Sequence, residues 1–191
     1  YDMQPLKVNA YDAATNSFFG AEFICDDSGS HLRRISDQML DTNQYISPGW
    51  IDMHTHCYDG MGLFGARADD FGWRKGVCMV VDTGTVGDYT LDNFKRYMLP
   101  TIETKVKLFI NISPIGCLFQ GETNILKALD ARRTVKTIEE NRDLIAGIKV
   151  RMAGSIMGPE NLQPLAMADF ASRRTGVPVM LHVGEAPPTC S

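Results

Sequence analysis

The chain has 191 residues, of which 44% are hydrophobic and 22% are charged, and its formal net charge is −4. These proportions are typical of a globular protein with a sizeable core, and they exclude a disordered or fibrous chain. Because lysine and arginine are scattered and the longest apolar runs are far shorter than a membrane span, neither a nucleic-acid nor a membrane partner is expected.

The five cysteines are widely spaced and include no CxxC pair. An odd number without a regular spacing fits neither a disulfide framework nor a zinc finger. We therefore expect a reducing, cytoplasmic setting. The sequence opens on Tyr1 and stops at Ser191 a few residues after a strand-like run, and we expect it to be a fragment that continues at both ends.

The first predicted element is a hairpin-like β segment between residues 7 and 45. Two strand-like runs, residues 21–25 and 31–35, flank a turn of Asp, Ser and Gly residues at positions 26–30. After residue 47 the composition changes to apolar runs separated by longer helical segments. This change places a domain boundary there.

Five apolar runs rich in β-branched residues follow, at residues 50–56, 77–83, 106–112, 146–152 and 179–183. Such runs are typical of strands that are buried on both faces of a parallel sheet. Between them lie predicted helices. In the helix at residues 162–174 the predicted buried face consists of Leu162, Leu165, Ala166 and Phe170, and Gly176 is predicted to end the helix.

Five strand-helix units in series indicate an α/β fold, which is either a doubly wound sheet or a barrel. The first strand is not followed by GxGxxG, and polar residues of metal-binding type lie near the C-terminal ends of three strands. Both features favour a (β/α)8 TIM-type barrel. Because a whole barrel has eight strands, residues 48–191 predict a partial barrel, its first five βα units. Residues 1–47 predict part of a small β-sandwich-like domain.

Two histidines, His54 and His56, are separated by one residue in the first of these strands. Alternate residues of a strand point to the same side, so both imidazoles are expected to face the barrel interior. Two nitrogen donors held in this way suit Zn²⁺ or a similar divalent ion. From these residues alone, two polar side chains at a strand end are the alternative.

Three further polar residues occupy the fourth and fifth strands. Lys149 lies within an apolar strand, where an unpaired ammonium is costly, so it is expected either to be neutralised or modified or to extend its ammonium to solvent. Arg151 shares the facing of Lys149 and is expected to contact substrate or to pair with a carboxylate. His182 ends the fifth strand, and by itself it fits a hydrogen-bonded core histidine better than a ligand.

Three residues and a loop near these strand ends receive weaker predictions. Cys57 is expected to be a small buried hydrophobe rather than a metal ligand. Asp52 is expected to orient the loop backbone, and Asp82 receives no role. The glycine-rich residues 59–65 lack the spacing of a phosphate-binding loop and predict a flexible rim loop.

The tract at residues 46–56, Ile-Ser-Pro-Gly-Trp-Ile-Asp-Met-His-Thr-His, resembles the first barrel strand of the amidohydrolase superfamily. There, a PG(F/L/W)ID-x-H-x-H segment leads out of a small β domain into the barrel. Similarities at residues 75–77, 82–85, 111–113, 147–152 and 182–188 resemble the amidohydrolase/deacetylase metallohydrolases, a subgroup related to dihydroorotases and D-aminoacylases. The resemblance covers the chain as the N-terminal half of such an enzyme.

The resemblance implies a site with two divalent metal ions, most typically Zn²⁺. His54 and His56 would bind one ion, His182 the other, and Lys149 would bridge them as a carbamate formed with carbon dioxide. The family's further histidine on strand six and its aspartate on strand eight, the general base, have no counterpart in the chain. No catalytic residue is therefore assigned.

The implied reaction is hydrolysis of an amide, N-acyl or acyl-ester bond by a metal-activated water. Two alternatives stay open: a cyclic amidohydrolase similar to dihydroorotase or hydantoinase, and a catalytically inactive, metal-binding half-barrel. The expected partners are a small-molecule substrate and either further copies of the chain or a missing C-terminal half.

Overall fold

The computed structural model of the chain describes residues 4–62, 64–157 and 162–185. The chain divides into two compact units, Tyr1–Gly49 and Trp50–Ser191. The predicted rim loop is described except for residue 63, and the predicted turn after His182 is described as far as residue 185. Within these ranges, no helix has the length and apolar character that a membrane span requires.

The first unit is a four-stranded, mainly antiparallel sheet. Its strands are β1 (Leu6–Asp12), β2 (Ser17–Asp26), β3 (Gly29–Ser36) and β4 (Tyr45–Ile46), in the spatial order β3-β2-β1-β4. The turn between β2 and β3 forms where Asp26 Oδ1 accepts a hydrogen bond from the Ser28 amide at 2.8 Å. The predicted hairpin is therefore present.

The second unit contains a five-stranded sheet in which every neighbouring pair is parallel. Its strands, in both chain and spatial order, are β5 (Trp50–Thr55), β6 (Val77–Thr83), β7 (Lys105–Asn111), β8 (Ile145–Arg151) and β9 (Val179–His182). A doubly wound sheet would reverse its strand order, whereas a barrel keeps it. The sheet is curled, as the first part of a barrel is. This confirms the predicted α/β fold with a partial barrel.

The described part of the second unit contains five α-helical segments: α1 (Ala68–Phe71), α2 (Leu91–Asn93), α3 (Ala131–Glu140), α4 (Gly154–Met157) and α5 (Gln163–Thr175). Asp130 starts α3, because its side chain accepts hydrogen bonds from the amides of Arg132 and Arg133. Gly176 ends α5 in the left-handed conformation, with φ of 76°. That end of α5 was predicted correctly.

The predicted buried face of α5 is wrong at Leu162, Ala166 and Phe170, which are exposed, whereas Leu165 packs against the core as predicted. Ala168 and Ala171 are fully buried, whereas Leu162 and Phe170 are 54% and 44% exposed. The alanines belong to the same core cluster as Ile148 and Val150 of β8, and small side chains on the helix leave room for the branched side chains of the strand. A hydrophobicity pattern gives more weight to large residues than to alanine, so it selected the wrong face.

The two faces of β8 have different chemistry. Ile148 and Val150 join the apolar core, and strand alternation therefore directs Gly147, Lys149 and Arg151 to the opposite side. A Cβ on Gly147 would lie 2.2 Å from the Phe109 ring of β7. The absence of a side chain at position 147 lets this aromatic ring cover the inner face below the site.

The sheet has two edges, β5 and β9, each of which pairs with a single neighbour among the described residues. Three large apolar residues of β5 are strongly exposed: Trp50, Ile51 and Met53, at 72%, 52% and 50%. Unpaired backbone groups beside exposed apolar side chains favour association between chains. The edge at β5 is therefore a surface that another chain can cover.

We expect the 191 residues, produced by themselves, to form oligomers that grow with concentration. Ile51→Lys should shift the distribution towards monomer because it places a charge on the β5 edge. Phe170→Lys alters a similarly exposed residue of α5 and should leave the distribution unchanged. Size-exclusion chromatography with light scattering at several concentrations measures this, and an equal response of both variants would contradict it.

Candidate active site

The four predicted metal ligands lie near the C-terminal ends of three strands. His54 is the second-to-last residue of β5, and His56 follows the end of that strand. Lys149 lies near the end of β8, and His182 is the last residue of β9. In a parallel barrel these strand ends share one face, where active sites are built. The structure thus brings the four side chains to the same face of the sheet.

The curl of the sheet brings β5 towards β8 across the interior. These strands are separated by β6 and β7, so in a flat sheet they would be roughly 14 Å apart at ~4.8 Å per strand. Burial lowers the pKa of His54, and the positive charges of Lys149 and His182 lower that pKa further. The His54 imidazole therefore lies within electrostatic reach of both β8 and β9.

All three imidazoles of the site favour the neutral state. Burial lowers the pKa of His56 to about 4, with further contributions from His54 and Lys149. Burial also lowers the pKa of His182, again with a contribution from Lys149. A neutral imidazole has the free lone pair that a metal ion requires.

The imidazoles do not form one closed metal site. The ring centroids of His54 and His56 are 5.9 Å apart, and His182 stands beside Arg151 in the register of β8 and β9. Among the described residues, no three His, Cys, Asp or Glu side chains are close enough together to hold one ion. The arrangement is a pair of histidines on β5 facing a single histidine on β9.

Lys149 is 1% exposed. Its ammonium forms no hydrogen bond or ion pair with another residue in the described ranges, so the extension of this group towards solvent stays one of the alternatives. Burial lowers the pKa of Lys149; the Cys117 side chain opposes this shift and the charge of Arg151 adds to it. A buried amine with a lowered pKa gains a larger neutral fraction, and the neutral amine is the nucleophilic form.

Gly84 allows the loop after β6 to approach the stem of Lys149. Its φ is +89°, and a Cβ there would lie 2.7 Å and 2.8 Å from Cγ and Cβ of Lys149. The Gly84 carbonyl also accepts hydrogen bonds from Asn111 Nδ2 at 3.0 Å and the Cys117 amide at 2.8 Å. Position 84 thus requires glycine both for its backbone conformation and for the space.

Gly84→Ala should destabilise the fold by about 1 kcal/mol or more and should also displace Lys149. Gly76→Ala is the matched control, because Gly76 has a similar φ of +81° and nothing within 4 Å of an added Cβ. Urea unfolding should therefore show a loss in both variants, whereas the reactivity of the Lys149 amine towards an acylating probe should change only in Gly84→Ala. Unchanged labelling there would contradict this account.

Arg151 forms an ion pair that fixes its guanidinium. Its Nε and Nη2 each donate to a carboxylate oxygen of Glu122 at 2.6 Å, and Glu122 is fully buried. Of the two alternatives for Arg151, the ion pair with a carboxylate is therefore the one present. Glu122 carries no local signal in the sequence, because it lies 29 residues from Arg151, in the short 3-10 helix Glu122–Asn124.

A cleft of about 300 Å³ opens beside His182. Residues from several loops and strands line it, among them Phe64, Gln120, Arg151, Ser155 and Glu185. The Phe64 ring also lies 5.7 Å from the His56 ring, so the predicted rim loop reaches the site. Arg151 lines this cleft as a paired side chain, and its proposed contact with substrate stays a prediction.

Several residues around the β5 histidines were missed or left open by the sequence. His56 Nδ1 lies 2.7 Å from Thr85 Oγ1 and 3.7 Å from Cys117 Sγ, and neither contact was predicted. Asp52 Oδ1 accepts a hydrogen bond from the His54 amide at 3.0 Å, which is the backbone role expected for it. Cys57 is fully buried, as expected, and burial strongly raises the pKa of its thiol.

The low pKa of His56 makes the stability of the metal-free protein depend on pH. Between about 4 and the ordinary value near 6.5, the unfolded chain binds a proton that the folded protein does not, so the free energy of unfolding falls as the pH falls. Wild type should lose about 1 to 3 kcal/mol more than His56→Gln between pH 7 and pH 4. Denaturant titrations in a chelating buffer test this, and parallel pH profiles would contradict it.

Comparison with known proteins gives a consistent group of relatives, although no family model matches the chain. A protein of Enterococcus faecalis named as a deacetylase is 35% identical over 150 residues, which are 78% of this chain and 40% of that protein. A protein of Agrobacterium fabrum, also named as a deacetylase, is 31% identical over 183 residues, which are 93% of this chain and 45% of that protein.

Solved structures are similar over nearly the whole chain. The crystal structure of a dihydroorotase has a TM-score of 0.81 at 28% identity, covering 95% of this chain and 50% of the other. That of an adenine deaminase has a TM-score of 0.77 at 28% identity, covering 98% and 52%. The chain spans less than half the length of the curated relatives. Over that part of their length, it belongs to the amidohydrolase superfamily.

Proposed function

We propose that the protein is a metal-dependent hydrolase that cleaves an amide, N-acyl or acyl-ester bond. The observation that carries the proposal is the buried, unpartnered Lys149 on the same face of the sheet as the three neutral imidazoles. The two relatives named as deacetylases support an acyl group as the part of the substrate that is cleaved off. We further propose that these 191 residues act as a fragment, together with a C-terminal half that completes the barrel.

The donor set fits two divalent ions better than one. Imidazole nitrogens suit Zn²⁺, and because the β5 pair is separated from His182, each of the two groups would hold its own ion. Two nitrogen donors or one are too few for a complete coordination shell, so an anionic ligand is needed between them. Lys149 is the residue placed to supply it, because its own neighbours leave its ammonium without a partner.

Modification of Lys149 by carbon dioxide would supply the anionic ligand and would also remove the unpaired ammonium. The neutral amine adds to the carbon of carbon dioxide and loses one proton, which gives a carbamate with two oxygen donors and a negative charge. The lowered pKa of Lys149 favours this reaction because it enlarges the neutral fraction. The modification replaces a buried cation, which repels metal ions, with an anion that attracts them.

The remaining residues bind and shield the reacting groups. His54, His56 and His182 would hold the ions, which would supply polarisation of a carbonyl and a lower pKa of a water molecule. The cleft beside His182 accommodates the substrate, with Arg151 as one wall and Phe64 as another. The proton transfers to the leaving group are assigned to no residue of the described chain.

A cyclic amide is the second candidate substrate. The specific observation that favours it is the dihydroorotase structure, which matches 95% of the chain with a TM-score of 0.81. A linear N-acyl compound and a cyclic amide present the same carbonyl to the site. The two candidates therefore differ in the groups that the loops must recognise.

Loss of the bridging anion should abolish most metal binding. We expect Lys149→Ala to lower the Zn²⁺ content of the protein, prepared with bicarbonate, by at least about tenfold, and Lys149→Glu to retain part of it. His31→Ala, which changes an exposed histidine of the first unit, is the control. Elemental analysis and intact mass with and without carbon dioxide measure this, and equal metal content in Lys149→Ala and wild type would falsify the bridging role.

The same preparations test the reaction. With Zn²⁺ added, the 191 residues by themselves should turn over no N-acetyl amino acid, hydantoin or aryl acetate, and a C-terminal half from a relative should restore some turnover. Restoration with hydantoins alone would favour the cyclic amidohydrolase. Metal binding without turnover in the reconstituted protein would favour the remaining alternative, a catalytically inactive, metal-binding half-barrel.

A further inference from the structure

A second cleft of about 300 Å³ lies beside the β5 histidines. Residues of β5 and of the chain that follows it line this cleft, among them His54, His56 and Phe71. Phe64 lines it too, and Phe64 also lines the cleft beside His182. It is the one residue of the described chain that both clefts share. Its side chain therefore stands at the boundary between them.

The Phe64 ring contacts the walls on both sides of this boundary. Its centroid lies 5.7 Å from the centroid of the His56 ring and 5.8 Å from Cζ of Arg151. Aromatic rings with centroids roughly 4.5 to 7 Å apart are in contact, and a guanidinium within about 6 Å of a ring centroid is attracted to the ring. No further group fits between Phe64 and either neighbour. Because His56 lines one cleft and Arg151 the other, the ring closes the passage between them at this point.

The two neighbours of Phe64 are themselves held in place. Nε and Nη2 of Arg151 each donate to the buried Glu122 carboxylate at 2.6 Å. His56 Nδ1 lies within hydrogen-bonding distance of Thr85 Oγ1, at 2.7 Å. Displacement of either wall would break these contacts. A ligand therefore passes from one cleft to the other only if the Phe64 ring itself gives way.

The segment that carries Phe64 is fastened to the end of β5. The Ala66 amide donates to the His56 carbonyl at 3.0 Å. Gly65 lies so close to the chain before it that an added Cβ would be 2.0 Å from the Tyr58 carbonyl oxygen. A side chain on such a closely packed segment is positioned before a ligand arrives, so it can select among ligands at little cost in conformational entropy.

We propose that Phe64 is a specificity-determining residue that confines a substrate to the cleft beside His182 and excludes compounds long enough to reach His56. The identification of the ligand as a substrate rests on the proposed function, whereas the separation of the clefts is a property of the metal-free protein. A compound with a short acyl group fits within one cleft. A long acyl chain would have to pass the Phe64 ring, so short-chain N-acyl compounds and acyl esters are the preferred substrate class.

Phe119 provides a matched control for the loss of an aromatic ring. It is 38% exposed, compared with 49% for Phe64. Its carbonyl accepts a hydrogen bond from Arg151 Nη2 at 3.3 Å, so it lies near the same guanidinium, but it lines neither of the two clefts. Phe119→Ala therefore removes a ring of the same size nearby and keeps the boundary between the clefts intact.

The test uses the metal-free 191-residue chain in a chelating buffer. The probes are N-acetylglycinamide and N-octanoylglycinamide, which have the same neutral head group and differ only in the length of the acyl chain. Each protein carries Ile51→Lys, so that association at the β5 edge does not cover the clefts. Intermolecular nuclear Overhauser effects between the acyl protons of the probe and the imidazoles of His56 and His182 report which cleft the acyl chain occupies, and titrations give the dissociation constants.

In the parent protein and in Phe119→Ala, both probes should contact His182 and neither should contact His56. In Phe64→Ala, the end of the long acyl chain should contact His56. The long probe should then bind at least about tenfold more tightly, because each newly buried methylene contributes roughly fourfold, whereas the short probe should gain no affinity. If Phe64→Ala does not fold, Phe64→Val, which also removes the ring, takes its place.

Contact between the long probe and His56 in the parent protein would overturn the proposal, because the ring would then not separate the clefts. Unchanged contacts in Phe64→Ala, an equal change in Phe119→Ala, or a parent protein that binds neither probe would overturn it as well. If the contacts change as expected but the chain binds no Zn²⁺ and shows no turnover with a C-terminal half, the role of Phe64 is supported and the proposed metal-dependent function is wrong.

Discussion

A lysine side chain without a partner is held inside the curl of a parallel sheet, and much of the surrounding structure depends on this placement. Burying an unpaired ammonium is unfavourable, so the surrounding chain must be rigid enough to keep it there. Gly84 gives the backbone room to pass against the stem of Lys149, and Asn111 fastens that backbone through the Gly84 carbonyl. The free energy that offsets this cost comes from the opposite face, where Ile148 and Val150 pack against the alanines of α5.

The parallel sheet separates stability from chemistry by strand alternation. Strand β8 presents Ile148 and Val150 to the core and directs Lys149 and Arg151 to its other face, so the site there requires no break in the core. This is also why much of the fold could be predicted from the sequence. The runs that became β6 to β9, the alternation of His54 and His56, and the turn at Gly176 are all local patterns whose period matches the structure they form.

The features that were missed depend on contacts between distant segments. Glu122 carries no local signal, and it became identifiable only when the fold brought it to Arg151. Thr85 looks like any loop threonine until the end of β5 brings His56 beside it. The prediction of the buried face of α5 was mostly wrong for a related reason. Close packing against a strand favours alanine, whereas a periodicity argument selects larger residues. A family resemblance supplied the predicted ligand set, but it did not indicate these neighbouring residues.

The two cations of β8 are treated in opposite ways, and this contrast distinguishes a structural group from a reactive one. Arg151 is neutralised by two short hydrogen bonds to a fully buried carboxylate. Its guanidinium stays protonated at any ordinary pH, so this pairing is permanent. Lys149, two residues earlier on the same face, has no such carboxylate, and its amine can lose its charge. A fold that pairs one buried cation so completely has the means to pair the other. An unpaired Lys149 therefore has an amine that remains available to a partner arriving after folding, as the proposed reaction with carbon dioxide requires.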